Sequence, residues 1–424
     1  MQVMRILVIG SGGREHVLVD RLARSPRVEQ VICAPGNAGT NSVAENVAID
    51  ASDHDSLVKL AKDRRMDLTV VGPEAPLCAG IVDRFQAAGL RIFGPTAAAA
   101  RIEGDKAYAK KLMKLAHVPT AEARIFQRFT EAKAYVATRE TGVVVKAAGL
   151  AAGKGVMVCP DPADGLLALE RFMVAREFGA AGDTVVVEEL LKGPELSVHA
   201  FVDGQTIYVL ESAQDHKAIG DGDTGPNTGG MGAYSPAPVA TSEVLAVVER
   251  DILVPIVDAL RNDGAPYRGV LYVGLMLTAG GAKVLEFNCR FGDPEAQVIL
   301  TRLESDLVDL LNAVVDGRLE DADVRWTSQA AVCVVMASKG YPGKFESGKV
   351  IQGLDAAASL PGVQVFHSAT KRIEHLTITN GGRVLGVTAL GNDVADAKRI
   401  AYAAAERIHF DNAYYRRDIA SKAL

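Results

Sequence analysis

Short apolar runs separated by helix-patterned stretches organise the first hundred residues. Arg5–Ile9, Val28–Cys33, Leu68–Val71 and Arg91–Phe93 are brief and rich in aliphatic and aromatic residues, so they predict strands. Between them, Leu57-Val-Lys-Leu-Ala-Lys and Gly80-Ile-Val-Asp-Arg-Phe-Gln-Ala-Ala space their apolar residues as one helix face. That alternation predicts an α/β domain over 1–103, a doubly wound parallel sheet. Ligands bind such sheets in the loops at the carboxyl ends of the strands. Here those loops read Gly10-Ser-Gly-Gly-Arg-Glu-His16, Pro35-Gly-Asn-Ala-Gly-Thr40 and Gly72-Pro-Glu-Ala-Pro-Leu77.

From about 104 to 326 the pattern changes. Val143-Val-Val-Lys146 and Val156-Met-Val-Cys159 are strands flanking a loop with Gly149, Gly153, Lys154 and Gly155, which predicts a hairpin-like flap. Val185-Val-Val-Glu188-Glu-Leu-Leu191 is a strand that runs into acidic residues and two leucines. Such a segment suits an adenine pocket, with backbone groups on the purine edge and a carboxylate on the ribose. Gly269–Leu277 and Lys283–Arg290 pair around the Ala279-Gly-Gly turn, and period two puts Glu286, Asn288 and Arg290 on one face. Residues 327–424 read as a smaller α+β unit: a strand at Ala330–Ala337, a hairpin Leu376–Leu390 around Asn380-Gly-Gly and a helix Val394–Ile408. Little chemistry stands out in it beyond His367 and Lys371.

Six glycines and two prolines fall within Ile219–Pro236, a composition that predicts neither a helix nor a central strand. The surrounding segment also carries Asp215, His216, Lys217, Asp221, Asp223, Asn227 and Thr228. A long loop this dense in charge predicts a functional element.

Composition narrows the setting. At 424 residues the chain is long enough for roughly three domains, and 48% hydrophobic with 23% charged residues fits a globular protein. A net charge of −6 without a basic run argues against nucleic acid, and no apolar stretch reaches membrane-spanning length. Five scattered cysteines without a Cys-x-x-Cys predict reduced thiols and a cytoplasmic protein. The first strand begins at once, so no cleavable signal is expected.

Neither common nucleotide signature is present. The first loop has Glu15 where a dinucleotide-binding turn needs its third glycine, and the second strand ends Cys33-Ala-Pro35 with no acid for a ribose. The loop can still hold an anion on helix-opening amides, or serve as a tight turn alone. The flap is one residue short of a Walker A loop, and Gly155 replaces its hydroxyl residue. Lys146 on a strand and Lys154 in the flap are nonetheless phosphate partners, one rigid and one mobile. Two oxygen ligands, Glu286 and Asn288, suit a magnesium ion shared with phosphate, and Arg290 beside them suits a transferring phosphoryl group.

The lysine strand, glycine flap, Glu188-Glu-Leu-Leu and Glu286-Phe-Asn, in this order, resemble the ATP-grasp superfamily. Gly10–His16, Pro35–Thr40, Val71–Leu77, Gly149–Gly155, Gln214–Lys217, Asp223–Pro236 and Arg290–Gln297 are similar, from end to end, to the phosphoribosylamine–glycine ligase family, also called glycinamide ribonucleotide synthetases. The resemblance implies a central ATP-grasp module of two α+β subdomains, a flap subdomain at about 121–192, and a carboxyl-terminal α+β domain. It implies ATP-dependent joining of glycine to 5-phosphoribosylamine through a glycyl phosphate, in de novo purine synthesis, with Mg2+ or Mn2+.

By the same resemblance Gly12, Gly13, Arg14, Glu15, Asn37 and Glu74 would hold the ribose phosphate. Lys106, Lys146, Gly149, Gly153, Lys154, Gly155, Glu188, Leu191 and Glu195 would hold ATP. Glu286 and Asn288 would hold the metal, and Asp215, Lys217, Asn227, Thr228, Arg290 and Asp293 would line the glycine and phosphoryl site, with Lys154, Arg290 and Asp293 catalytic. A stand-alone monomer is expected, with at most transient contacts to other purine enzymes. Two departures stand out: the flap reads Lys146-Ala-Ala148-Gly where the family has Lys-Ala-Asp-Gly, and Gly274-Leu-Met-Leu lacks a third metal acid. Two rivals are another carboxylate–amine ligase of the superfamily, such as a biotin carboxylase, and a nucleotide-binding sensor without turnover. The Arg290–Gln297 run argues against the first, and only Ala148 favours the second.

Overall fold

The computed structural model describes residues 3–151 and 153–424. Strands β1 (Met4–Gly10), β2 (Val28–Pro35), β3 (Glu45–Asn46), β4 (Leu68–Val71) and β5 (Ile92–Phe93) form a parallel sheet in the order β3-β2-β1-β4-β5. Ile6 to Ile9 and all of β4 are buried, as expected of strands covered on both faces. The strand order reverses between β1 and β4, and crevices form at such switch points. The loops starting at Gly10 and Gly72 flank this one. The second is not wholly a loop: Glu74–Cys78 is a short helix that points Glu74 out of the sheet end.

Strands β6 (Ala123–Phe126), β7 (Val143–Ala147), β8 (Val156–Cys159) and β9 (Val185–Glu189) make an antiparallel sheet, β6-β9-β7-β8. The predicted flap hairpin is β7–β8. It packs over its own small core, which includes Val143, Val145, Phe172, Val185 and Val187.

The next strands are β10 (Glu195–Asp203), β11 (Ile207–Val209), β12 (Gln214–Asp215), β13 (Ala218–Gly220), β14 (Thr224–Asn227), β15 (Gly232–Ser235), β16 (Arg268–Thr278) and β17 (Gly281–Asn288). β16 and β17 pair antiparallel, as the period-two pattern predicts, in the sheet β11-β10-β16-β17. β15 corrects the composition argument. It is fully buried and lies between β12 and β18 (Ala330–Ser338) in a six-stranded sheet. A glycine suits it there, because a Cβ on Gly232 would meet the Cys333 carbonyl oxygen at 2.6 Å.

β19 (Val363–His367), β20 (Thr370–Ile373), β21 (Leu376–Thr379), β22 (Arg383–Gly391) and β23 (Ala413–Tyr414) complete the chain. Asn380-Gly-Gly does not close a hairpin. β21 pairs with β20, whereas β22 pairs with β18 and β19 in the large sheet. The turn signal is local, and burial decides the partner: most of β22 is buried, whereas β21 is buried only at Thr379. The helix Val394–Ala405 covers this sheet as expected. Because β15 precedes residue 326 and β18 follows it, the carboxyl-terminal sheet is stitched to the centre of the chain.

Candidate functional site

A cavity of about 410 Å³ opens where the three regions meet. Its floor is the end of β17. Glu286 and Asn288 face it, as does Arg290 just beyond the strand. Arg290 is held from three directions: Nε donates to Glu74 at 3.2 Å, and Nη2 donates to Glu103 at 2.8 Å and to Asn288 Oδ1 at 3.1 Å. Glu103 also accepts the Cys289 amide at 2.6 Å, so one carboxylate fixes both backbone and side chain at the strand end. Burial pushes the Glu103 carboxyl up. Burial also pushes Glu74 up, but Arg290 and Arg14 outweigh it and hold it at about 2.

Lysines approach the floor from the flap side. Lys146 Nζ donates to the Leu285 carbonyl at 2.9 Å and pairs with Glu188 at 2.9 Å. Lys110 holds the other Glu188 oxygen at 3.0 Å, and burial brings its own pKa down to about 8. Glu188 is therefore committed to two cations. Lys106 Nζ donates to the Gly149 carbonyl at 3.2 Å, and burial lowers its pKa. Burial pushes Glu286 up, but Lys217, Lys146, Lys106 and Arg290 outweigh it and leave it below the ordinary carboxylate value. The residue is thus ionised.

The opposite wall is acidic and buried. Lys217 pairs with Glu195 at 3.1 Å and lies 3.7 Å from Glu286. Burial pulls Lys217 down, yet Glu195, Tyr272, Asp215 and Glu286 together raise it well above its ordinary value. Burial drives Asp215 well up, with Glu295, Glu195 and Glu286 adding to it against Lys217. Asp215 is therefore poised to ionise when a cation arrives beside it. Thr228, Asn227 and Leu191 line the same space. Asp293 accepts from Gln297 at 2.9 Å and lies 3.3 Å from Arg383, whose charge and that of Arg14 overcome burial and lower its pKa.

The flap closes one side. Gly153 and Gly155 line the cavity, and Gly153 needs its glycine, having φ +75°. Lys154 is exposed and stands outside the lining. Gly149 packs on Ala181 instead, and Ala148 is buried with Ala107 and Val186.

Of the amino-terminal residues, Arg14 and Glu74 reach the cavity; Gly12, Gly13, Glu15 and Asn37 lie behind it. The Glu15 carboxylate accepts the Gly12 amide at 2.5 Å and Arg14 Nε at 2.6 Å. Asn37 Nδ2 donates to Ser11 O and His367 O, each at 2.8 Å, while its Oδ1 accepts from Gly39 and Thr40. These two shape the loop. His367 packs against His16 in the same junction, and Lys371 is exposed on β20.

Sequence reasoning missed Glu103, Lys110, Glu295, Tyr272 and Arg383, which all line the cavity. Glu103 and Lys110 bracket Lys106 on consecutive helices, a proximity that offered a signal. Arg383, on the carboxyl-terminal sheet, offered none.

One carboxylate and one carboxamide on a strand, with neither histidine nor thiol, form a hard oxygen set that fits Mg2+ or Mn2+. Among the described residues no group of three or more His, Cys, Asp or Glu makes an all-protein cage. Such a site would need phosphate oxygens to complete it.

Three family models match in order: the phosphoribosylglycinamide synthetase N domain over 4–103, its ATP-grasp (A) domain over 104–296 and its C domain over 331–422. The chain is 50% identical over 431 residues to the phosphoribosylamine–glycine ligase of Rhodopirellula baltica, covering 100% of this chain and 99% of that protein. It is 51% identical over 425 residues to that of Xanthomonas axonopodis pv. citri, covering 99% and 98%. The crystal structure of the phosphoribosylamine–glycine ligase of Thermotoga maritima superposes with a TM-score of 0.85 at 32% identity, over 98% of this chain and 100% of that one. A biotin carboxylase domain from Hydrogenobacter thermophilus shares the fold, with a TM-score of 0.74 at 17% identity, over 98% and 92%. With an N domain, an ATP-grasp domain and a C domain matched along its whole length, the chain belongs to the phosphoribosylglycinamide synthetase family.

Proposed function

We propose that this protein ligates glycine to 5-phosphoribosylamine at the expense of ATP, giving glycinamide ribonucleotide, ADP and phosphate in purine biosynthesis. One observation carries the reading: Lys106, Lys146, Arg290 and the Glu286–Asn288 oxygen pair share one cavity with the buried acid Asp215. Cations and hard oxygens suit a triphosphate and its metal, and a buried acid suits an ammonium group. In this reading Lys106, Lys146, the flap from Gly149 through Lys154 to Gly155, Glu188, Leu191 and Glu195 hold ATP. Asp215, Lys217, Asn227 and Thr228 hold glycine. The amino-terminal loops holding Gly12, Gly13, Arg14, Glu15, Asn37 and Glu74 face the phosphoribosylamine. Glu286 and Asn288 would hold Mg2+ or Mn2+, which would supply charge neutralisation to the phosphates.

Chemically, a carboxylate cannot expel oxide, so it needs activation. A glycine carboxylate oxygen takes the γ-phosphoryl group and ADP leaves; the sugar amine then attacks the acyl carbon and phosphate leaves. Arg290 orients the phosphoryl group, with Asp293 anchoring the loop that follows. The flap and the 217–228 hairpin exclude water from the acyl phosphate. We assign 1–103, 104–326 and 327–424 as the three domains, and a monomer in the cytoplasm.

ADP release measured with each substrate omitted in turn tests the reaction. Dependence on both glycine and phosphoribosylamine supports it; dependence on bicarbonate instead moves the chain to a carboxylase. Glycine labelled with heavy oxygen in its carboxylate should deliver one labelled oxygen to the released phosphate. Unlabelled phosphate would rule out the acyl phosphate, and AMP as product would mean an adenylating ligase.

A further inference from the structure

The two-stranded hairpin β13–β14 stands apart from the larger sheets, and residues 221–227 are exposed. A pair of short strands is marginally stable alone, so something else must hold it. Yet its base belongs to the cavity. The Lys217 carbonyl accepts both the amide of Thr228, at 2.7 Å, and its hydroxyl, at 2.8 Å. The position of Lys217, Asn227 and Thr228 therefore follows the hairpin.

What holds the hairpin is the segment after β23. Arg416 is completely buried, at 0% exposure. Nε and Nη2 donate to the two oxygens of Asp418 at 2.8 and 2.7 Å, and Nη1 donates to the Ala218 carbonyl at 3.0 Å and to Asp223 at 3.1 Å. Further ties surround it: the Gly222 amide donates to Asp418 at 2.8 Å, the Arg417 amide to Asp221 at 2.8 Å and the Tyr414 hydroxyl to the Ile219 carbonyl at 2.9 Å. A buried guanidinium persists only when its donors are met, and breaking such a set is costly. Here it is met by both ends of the hairpin, one residue from Lys217.

We propose that Arg416 is a positioning residue for the cavity, acting through Ala218 and Asp223 to fix the edge formed by Lys217, Asn227 and Thr228. Its effect on glycine rests on the reading above that this edge holds glycine; the clasp itself does not. Arg416→Met and Arg416→Lys in the full chain test it, with steady-state kinetics and amide hydrogen exchange over 219–227. Arg416→Met should raise the glycine KM about tenfold or more while the ATP KM stays within about twofold, and Arg416→Lys should recover part of the loss. Exchange across the hairpin should quicken in the same order. Lower thermal stability with unchanged glycine KM and unchanged hairpin exchange would mean a role in folding alone and would overturn the proposal. If Arg416→Met does not fold, Tyr414→Phe removes one tie and should quicken exchange near Ile219; unchanged exchange there overturns the clasp. If the wild-type protein shows no glycine-dependent ADP release, the glycine reading fails, and the exchange result still decides the clasp.

Discussion

The two sides of the cavity are built on opposite terms. On the floor the cations are already engaged: Lys146 with Glu188 and the Leu285 carbonyl, Arg290 with Glu74, Glu103 and Asn288. Across from it, the flap around Gly153 and the hairpin at 221–227 are glycine-rich and exposed, and Lys154 reaches into solvent. The floor pays its ordering cost during folding, so its dipoles and charges are in place before any ligand arrives. The flap keeps freedom for closure, whereas the hairpin is tied to Arg416 and Asp418. Substitutions on the floor should therefore damage binding and chemistry together, and those on the lid should affect the closed state alone.

Glu286→Gln is the severest test of the floor. It keeps the shape and removes the one ionised carboxylate facing both Lys217 and the proposed metal. Turnover should fall by about a hundredfold or more at saturating substrate, since such charge stabilisation is worth several kcal/mol. Far-ultraviolet dichroism should be unchanged. Activity close to wild type at ordinary magnesium would remove Glu286 from the metal site.

The two lysines sharpen the comparison. Lys146→Ala leaves Glu188 buried with only Lys110 as partner, and it should raise the ATP KM and lower kcat, each by about tenfold or more. Lys154→Ala should lower kcat by about tenfold and leave the ATP KM within about twofold, because the side chain is exposed and is proposed to meet phosphate only on closure. Identical profiles for the two variants would show that floor and lid are not distinct.

The same contrast explains what could be read from the chain. The floor is one strand, and period two alone brought Glu286, Asn288 and Arg290 to one face; the flap is two β-branched runs around glycines, an equally local pattern. Elements whose position depends on distant partners were not legible. β15 joins a buried sheet despite its glycines, because Gly232 lets the Cys333 carbonyl come close. β21 and β22 flank a good turn signal but part company, since burial gives β22 better neighbours. Arg383 comes to Asp293 from the carboxyl-terminal sheet across 90 residues, with no pattern to announce it. Gly12, Gly13, Glu15 and Asn37 came from the family resemblance, and the hydrogen bonds of Glu15 and Asn37, which go largely to their own loop, have no pattern in the sequence.

The smallest expected effect lies behind the floor, where the amino- and carboxyl-terminal regions meet. His16 is buried, and its Nδ1 accepts the His367 amide at 2.7 Å, which requires the ring to be neutral. Burial, with His367 adding to it, lowers the His16 pKa to about 3 from an ordinary value of 6.5. An unfolded chain would take up this proton below pH 6.5, whereas the folded one would not until about 3. The stabilisation is thus complete above pH 6.5 and lost as pH falls through that window, by about 1.4 kcal/mol per pH unit for this group. His16→Asn keeps an acceptor without a titrating ring. It should lower stability modestly at pH 7.5 and show a weaker loss than wild type on going to pH 5.5. Thermal melts at the two pH values decide the matter: equal losses in both proteins would mean that His16 titrates freely and that this junction is not part of the rigid side.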